Sequence, residues 1–223
     1  MNSTQQQNMQ RTYRPKKVSL LYLSSKRFFD IFSSLMALIL LSPLMLIIAI
    51  LVKAEDGGKI FYSHKRVGKG GKTIYIHKFR SMVRDSQDLE HLLTPEQLKQ
   101  YNTEFKIDND PRITKTGKFL RTTSLDELPQ LWDIFVGKIS VIGPRPLVEE
   151  EIKKNYPQTS DILLSCKPGL TGYWQAYARN DATYESGERQ QMELYYIENC
   201  SFWLDVKILF KTVVSVLKRK GAK

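Results

Sequence analysis

Cysteine is nearly absent from this chain of 223 residues. Cys166 and Cys200 stand at no metal-ligand spacing and show no pairing pattern, which argues for reduced thiols packed in a cytosol-facing domain and against a cysteine-held metal or a disulfide framework. Gly68, Gly70 and Gly71 cluster without matching a phosphate-cradling fingerprint. No internal repeat or low-complexity tract follows the first ten residues. The most telling deficit is of charge: from Ile31 to Val52, in IFSSLMALILLSPLMLIIAILV, there is none.

A helix over that run, at ~1.5 Å per residue, covers the ~30 Å hydrocarbon core of a bilayer. Pro43 lies at its centre, where it removes a backbone donor and its ring meets the carbonyl of Ile39, so a sharp kink is expected at the Ser42-Pro43 pair. Arg11, Arg14, Lys16, Lys17, Lys26 and Arg27 precede the run, and Lys53, Lys59, Lys65, Arg66, Lys69 and Lys72 follow it. The positive-inside rule then places both ends in the cytoplasm. A re-entrant hairpin that turns back at Ser42 and Pro43 satisfies this, with the Ser42 hydroxyl bonding the carbonyl of Leu38. A kinked span is the other reading, and the residues alone leave the two open. A cleaved signal peptide fits less well, because the apolar core is too long and no small-x-small site follows it.

Residues 1–17, rich in Gln, Asn, Lys and Arg, are expected to be disordered or to lie along lipid head groups. Residues 18–58 form the membrane-associated helix-break-helix, and 59–223 have the length of one ordinary domain. Lys and Arg exceed Asp and Glu by 34 to 23, a net charge of +11 that suits an anionic membrane face, phosphate-bearing substrates or nucleic acid without choosing among them. Lys59–Val67 and Thr73–Phe79 are rich in β-branched and aromatic residues and read as a short hairpin around the glycine cluster. Thr94-Pro95-Glu96-Gln97 has the form of a capping box with proline at the first helical position, opening a polar helix to about Asn102. A further helix from about Leu128 to Phe135 stops at Gly137. Near the C-terminus Phe202, Val206, Leu209, Val213 and Val216 share one helical face. Core packing explains such a face, as does an interfacial helix ending in Lys218-Arg219-Lys220. The fold class expected is α+β, mainly helical.

Thr122-Thr123-Ser124-Leu125-Asp126-Glu127-Leu128-Pro129 sets two adjacent carboxylates at a helix start. An ordinary capping box on Ser124 and Glu127 accounts for this, and so does Asp126 as the cap with Pro129 inside the tolerant first turn. The functional reading is a rigidly held carboxylate that stays ionised beside a helix N-terminus and serves as nucleophile or metal ligand at phosphorus. Lys78, Arg80, Arg121 and Arg145 supply a cationic complement. Arg145 is the strongest of these, because Pro144 and Pro146 stiffen the backbone on either side and limit the freedom lost on binding.

Taken together, KRFFDI, the central Ser42-Pro43, HKFRSM, DPRITKTGKFLRTTSLDELPQLWDI, SVIGPRP, KPGLTGYWQ and FWLDVKILFKT resemble the bacterial sugar transferase family, the monotopic phosphoglycosyl transferases. The likeness runs from about Lys26 to Lys218. It implies a membrane-anchored monotopic domain with a re-entrant helical hairpin broken at Ser42 and Pro43, in its short catalytic form, at the cytoplasmic face of the bacterial inner membrane. The family's acidic dyad falls on Asp126 and Glu127. By resemblance, Asp126 attacks the sugar-linked phosphate of a UDP-sugar, releases UMP and holds a covalent phosphosugar that polyprenyl phosphate then accepts. Mg2+ is the implied cofactor, on Asp126 and the diphosphate. Arg145 would hold phosphate, with Arg121, Lys78 and Arg80 as further substrate contacts and Glu127 in a positioning or acid/base role. Trp174-Gln175 leans toward a hexose over an N-acetylhexosamine. Ala178 stands where the family often has glycine, which puts the local loop shape in question. The implied partners are UDP-sugar, polyprenyl phosphate and membrane lipid. A homo-oligomer is compatible with them. The competing classes are a non-enzymatic basic scaffold of a polysaccharide-assembly complex, and a nucleic-acid-binding module, which the apolar anchor argues against.

Overall fold

The computed structural model describes residues 13–86, 88–98, 107, 110–178 and 181–217. Its dominant element is α1, Leu20–Asp56, with Pro43 inside it. At 37 residues this helix is ~55 Å long, and it is the one helix among the described residues long and apolar enough to cross a membrane. Leu35, Met36, Ile39, Leu40, Leu46, Ile47, Ile50 and Leu51 are all exposed along it, as a lipid-facing surface requires and a water-facing one does not. Pro43 leaves the carbonyl of Ile39 without its usual helical donor, and the Ser42 hydroxyl donates to that same oxygen at 2.8 Å. Sequence reasoning assigns this bond to Leu38. The correction follows from need, since Ile39 owns the orphaned acceptor.

The chain divides into two units. One is built from Ile39–Ser63 and His77–Pro129. Its core joins Met45, Ile48, Ala49 and Val52 of α1 to Ile60, Phe79, Leu120, Leu125 and Leu128. Ile48 and Val52, one turn apart, are 3% and 2% exposed, so the second half of α1 carries a narrow protein-facing stripe beside an exposed apolar surface. Strands β1 (Phe61–Val67) and β2 (Thr73–Phe79) pair as the expected hairpin, and Gly70 and Gly71 take positive φ in its turn. The Thr94 capping box is present: the Thr94 N–H donates to Gln97 and the Gln97 N–H to the Thr94 hydroxyl. The rest of that helix beyond residue 98 lies outside the described residues, as do 1–12 of the expected tail and Lys218-Arg219-Lys220. Helix α2, Lys115–Thr123, is capped by the Thr114 hydroxyl, which accepts from the Gly117 N–H at 2.9 Å.

The other unit takes in the first half of α1, His64–Ile76 and the chain from Gln130 onward. Helix α3 spans Gln130–Phe135 and ends at Gly137, φ +85°, two residues later than expected at its start because Leu128 and Pro129 remain in a turn. Strands β3 (Ser140–Ile142) and β4 (Gly169–Thr171) pair in parallel, Ser140 opposite Gly169 and Ile142 opposite Thr171. A Cβ on Gly169 would collide with the backbone nitrogen of Gly143, so glycine is required for this approach. Helices α4 (Glu149–Asn155), α5 (Tyr173–Tyr177), α6 (Glu188–Asn199) and α7 (Phe202–Leu217), with a single helical turn at Ser160–Leu163, complete the unit. Their core gathers Ile142, Leu147, Tyr156, Leu163, Leu194, Ile197 and Ile208. The first half of α1 docks here through polar bonds. Arg27 donates to the carbonyls of Ile134 and Phe135 at 2.8 and 2.7 Å, and the Asp30 carboxylate accepts from Ser140 and the Val141 N–H.

On α7 the buried side chains are Asp205 and Ile208, whereas Phe202, Trp203, Val206, Phe210 and Val213 are exposed. Of the apolar face expected from periodicity, Leu209 packs against the core, whereas Phe202, Val206 and Val213 do not enter it. An outward stripe of two aromatic rings and a tryptophan suits a bilayer interface. Ala178 has φ −147°, a conformation open to alanine, so glycine is not needed there. Cys166 and Cys200 are free thiols packed at the edge of the core, and burial pushes the Cys166 thiol up to about 12.

Candidate active site

Asp126 and Glu127 sit in a short turn between two helices. Ser124 ends α2 in a left-handed conformation, φ +57°, with its N–H turned back to the carbonyls of Leu120 and Arg121. It is the one non-glycine residue with positive φ among the described residues, and such conformations store strain. Leu125–Glu127 then form a single 3-10 turn in which the Ser124 side chain makes no capping bond. Neither cap assignment drawn from the sequence holds. Ser124 closes the preceding helix and opens none through its hydroxyl. Leu125 and Leu128, which flank the dyad, pack against the cluster formed by Ile48 and Val52 of α1 with Phe79 and Leu120. The carboxylates are thus linked, through their immediate neighbours, to a cluster that includes the second half of α1.

Asp126 is 7% exposed. Burial pushes its carboxyl above the ordinary aspartate value and Glu127 adds to this, while Lys78 and Arg121 oppose it. Lys78, from β2, reaches both acids: its ammonium is 2.6 Å from Glu127 and 3.6 Å from Asp126. Two basic side chains, and not the N-terminus of a long helix as the sequence pattern suggests, therefore oppose the effect of burial on Asp126. Arg121 projects from the last turn of α2, donating to the Ser81 hydroxyl at 2.8 Å. Behind it, Arg112 clamps Asp110 through two side-chain bonds of 2.8 and 2.6 Å. Burial disfavours the Asp110 carboxylate, yet the bonds from Arg112 outweigh that and hold it below the usual range.

The structure brings Lys78, Arg121, Asp126 and Glu127 together in one unit. Arg80 belongs to the same unit, but its guanidinium is engaged by Asp56 and the Val52 carbonyl at the end of α1, where it closes the helix. Arg145 belongs to the other unit. Pro144, Pro146 and Leu147 around it are buried, its N–H donates to Glu193, and its guanidinium lies 6.0 Å from the Trp174 ring centre. Ser81, Asp110, Arg112 and Glu193 were not singled out by sequence reasoning. The first three lie inside blocks that carry the resemblance, but only the folded geometry shows which of them meet.

Among the described residues no group of three or more His, Cys, Asp and Glu side chains is placed to hold a metal ion. The Asp126 and Glu127 carboxylates still suit Mg2+, which binds through one or two carboxylates and completes its shell with water and substrate phosphate instead of an all-protein cage.

A model described as bacterial sugar transferase matches residues 21–219. The chain is similar to the undecaprenyl-phosphate galactose phosphotransferase of Salmonella typhimurium, 46% identical over 200 residues, which cover 88% of this chain and 41% of that protein. It is similar to the exopolysaccharide production protein ExoY of Sinorhizobium fredii, 42% identical over 201 residues, 89% of this chain and 88% of that one. A third relative is the UDP-N-acetylgalactosamine-undecaprenyl-phosphate N-acetylgalactosaminephosphotransferase of Aeromonas hydrophila, 35% identical over 209 residues, 92% of this chain and 46% of that one. The chain spans less than half the length of the first and third of these relatives and most of the second. By the family match and by this similarity along nearly all of its length, the chain belongs to the bacterial sugar transferase family.

Proposed function

We propose that the protein transfers a sugar 1-phosphate from a UDP-sugar to polyprenyl phosphate, releasing UMP and beginning a surface polysaccharide or glycoconjugate. The observation that carries this is the dyad itself: a buried aspartate held between two cations, in a turn whose flanking leucines grip the apolar helix. A water-soluble donor and a lipid acceptor must meet at a bilayer surface, and a nucleophile fixed to the anchor is already there. Asp126 forms a bond to the sugar-linked phosphorus as the bond from that phosphorus to the bridging oxygen breaks, and UMP leaves with the electron pair. An oxygen of polyprenyl phosphate then bonds to the same phosphorus and the aspartate carboxylate departs, restoring the site. Lys78 favours the charged form of Asp126 against burial and, with Arg121, faces the charge that gathers on the phosphoryl oxygens. Glu127 orients Lys78 through its 2.6 Å bond. Mg2+ held by Asp126, with Glu127 beside it, would supply positive charge against the diphosphate.

Arg145 completes the reading as a phosphate contact. Trp174-Gln175 leans toward a hexose, and the relatives include both a galactose-named and an N-acetylgalactosamine-named enzyme. The proposal includes a re-entrant turn at Ser42 and Pro43 that leaves both flanks of α1 on the cytoplasmic face of the inner membrane. Cysteines placed near Lys17 and Lys72 should then be shielded from a membrane-impermeant thiol reagent in intact cells, and labelling of one flank alone would establish a span. For the chemistry, purified protein with Mg2+, carrier lipid and a panel of UDP-sugars should release UMP, and Asp126→Asn should abolish it. A panel with no UMP from any donor would leave the scaffold reading standing.

A further inference from the structure

Helix α6 carries a carboxylate that the chemistry above does not use. Glu193 is 2% exposed, inside a core of Leu194, Ile197, Leu147 and Tyr156. Burial pushes it up to about 7, opposed by Arg189 and by the backbone bond and charge of Arg145. Its hydrogen-bond partner is the Arg145 N–H, 3.2 Å from Oε2 and 3.4 Å from Oε1. One turn earlier on α6, Arg189 lies between the rings of Trp174 and Tyr184, 3.9 Å from each centre, so this cation is held by aromatic faces. A buried carboxylate committed to a single loop amide is a costly way to shape a turn. Pro144 and Pro146 have no N–H to give, so Arg145 offers the sole backbone donor of the Pro-Arg-Pro stretch. The Arg145 guanidinium has no hydrogen-bond or ion-pair partner among the described residues, which leaves it available to an anion.

We propose that Glu193 is a positioning residue for Arg145: its buried carboxylate anchors the Arg145 amide, and thereby aims the guanidinium at a phosphate of the nucleotide-sugar donor. This rests on the reading of Arg145 as a phosphate contact. Glu193 touches no substrate. It acts by limiting the conformations from which the arginine must be recruited, which appears in donor affinity and not in the chemical step.

The test compares Glu193→Ala, Glu193→Gln, Arg145→Ala and the double Arg145→Ala/Glu193→Ala variant in UMP release at varied UDP-sugar, with thermal unfolding measured alongside. Arg145→Ala and Glu193→Ala should each raise the donor KM roughly tenfold, with kcat within about twofold. Glu193→Gln, which keeps an acceptor for the N–H, should stay within about threefold of the native KM, and the double variant should be no worse than Arg145→Ala alone. Glu193→Met, similar in length but with no comparable acceptor, replaces the alanine variant if that one does not fold, with the same expected KM. A native KM in Glu193→Ala or Glu193→Met, additive effects in the double variant, or a glutamine variant as impaired as alanine would each overturn the assignment. If Arg145→Ala itself leaves KM unchanged, the phosphate role of Arg145 fails and the positioning role falls with it, whereas an effect of Arg145→Ala without one of Glu193→Ala removes only the latter.

Discussion

Replacing Glu193 by glutamine should make the protein less sensitive to alkaline pH. In the folded chain the carboxyl titrates at about 7, against 4.5 when exposed, because burial penalises the charged form more than the surrounding cations favour it. A raised acid favours folding when protonated, so its contribution is fully present below about pH 4.5 and is lost as pH rises through 7. The groups around it are Arg189 on its own helix, Arg145 on the loop above, and the phenols of Tyr156 and Tyr184, both of which burial pushes upward so that they stay neutral across this range. With these two values, linkage gives a loss of roughly 2–3 kcal/mol between pH 5 and pH 8. For a chain of this size that is roughly 5–10 °C in melting temperature. Thermal unfolding of the native chain and Glu193→Gln in one detergent at both pH values reads the difference directly. The native chain should lose these degrees relative to the variant on going to pH 8. Parallel pH dependence in the two proteins would show that Glu193 is not a buried, titrating group.

Lys78→Met removes the ammonium that lies 3.6 Å from Asp126, so the acid limb of the pH–rate profile should move to higher pH and UMP release at pH 7 should fall roughly tenfold or more; an unmoved limb would mean that Lys78 does not sustain the nucleophile. Asp110→Asn leaves Arg112, 5% exposed, without its carboxylate and should cost about 3–5 kcal/mol, seen as a melting temperature lowered by roughly 6–20 °C. Ser42→Ala strips the Ile39 carbonyl of its donor and should lower stability by about 1 kcal/mol. In a Pro43→Ala background, where a backbone N–H reaches that carbonyl again, the same change should cost close to nothing, and equal costs in both backgrounds would dismiss the account of this pair.

The parts most legible in the sequence were those written in local pattern. The uncharged run named α1, the glycine-punctuated strands named the β1–β2 hairpin, Gly137 marked the end of α3, and the Thr94 capping box formed with both reciprocal bonds. The dyad was legible as a pair of acids, but its setting was not. Ser124 reads as an N-cap by composition, and its left-handed conformation as the end of α2 follows from a bond back to Leu120 and Arg121 that no local pattern announces. Lys78 meets Glu127 across 49 positions of sequence, a contact that only pairing β2 into the unit can create. Strands β3 and β4 are three residues each, too short to show alternation, and owe their pairing to the close approach of Gly143 and Gly169. Glu193 is buried on α6, and no local pattern announces it. On α7 the apolar face is split, Leu209 packing against the core while Phe202, Val206 and Val213 are exposed, and periodicity alone does not distinguish the two settings.

The proposed mechanism stands or falls on a bond between Asp126 and phosphorus. Purified enzyme given Mg2+ and UDP-sugar without carrier lipid, quenched in acid and digested, should yield up to one equivalent of UMP and a peptide containing residue 126 heavier by one phosphosugar, and added polyprenyl phosphate should discharge that mass before the quench. Product formed at the normal rate, with that peptide always found unmodified, would contradict the account.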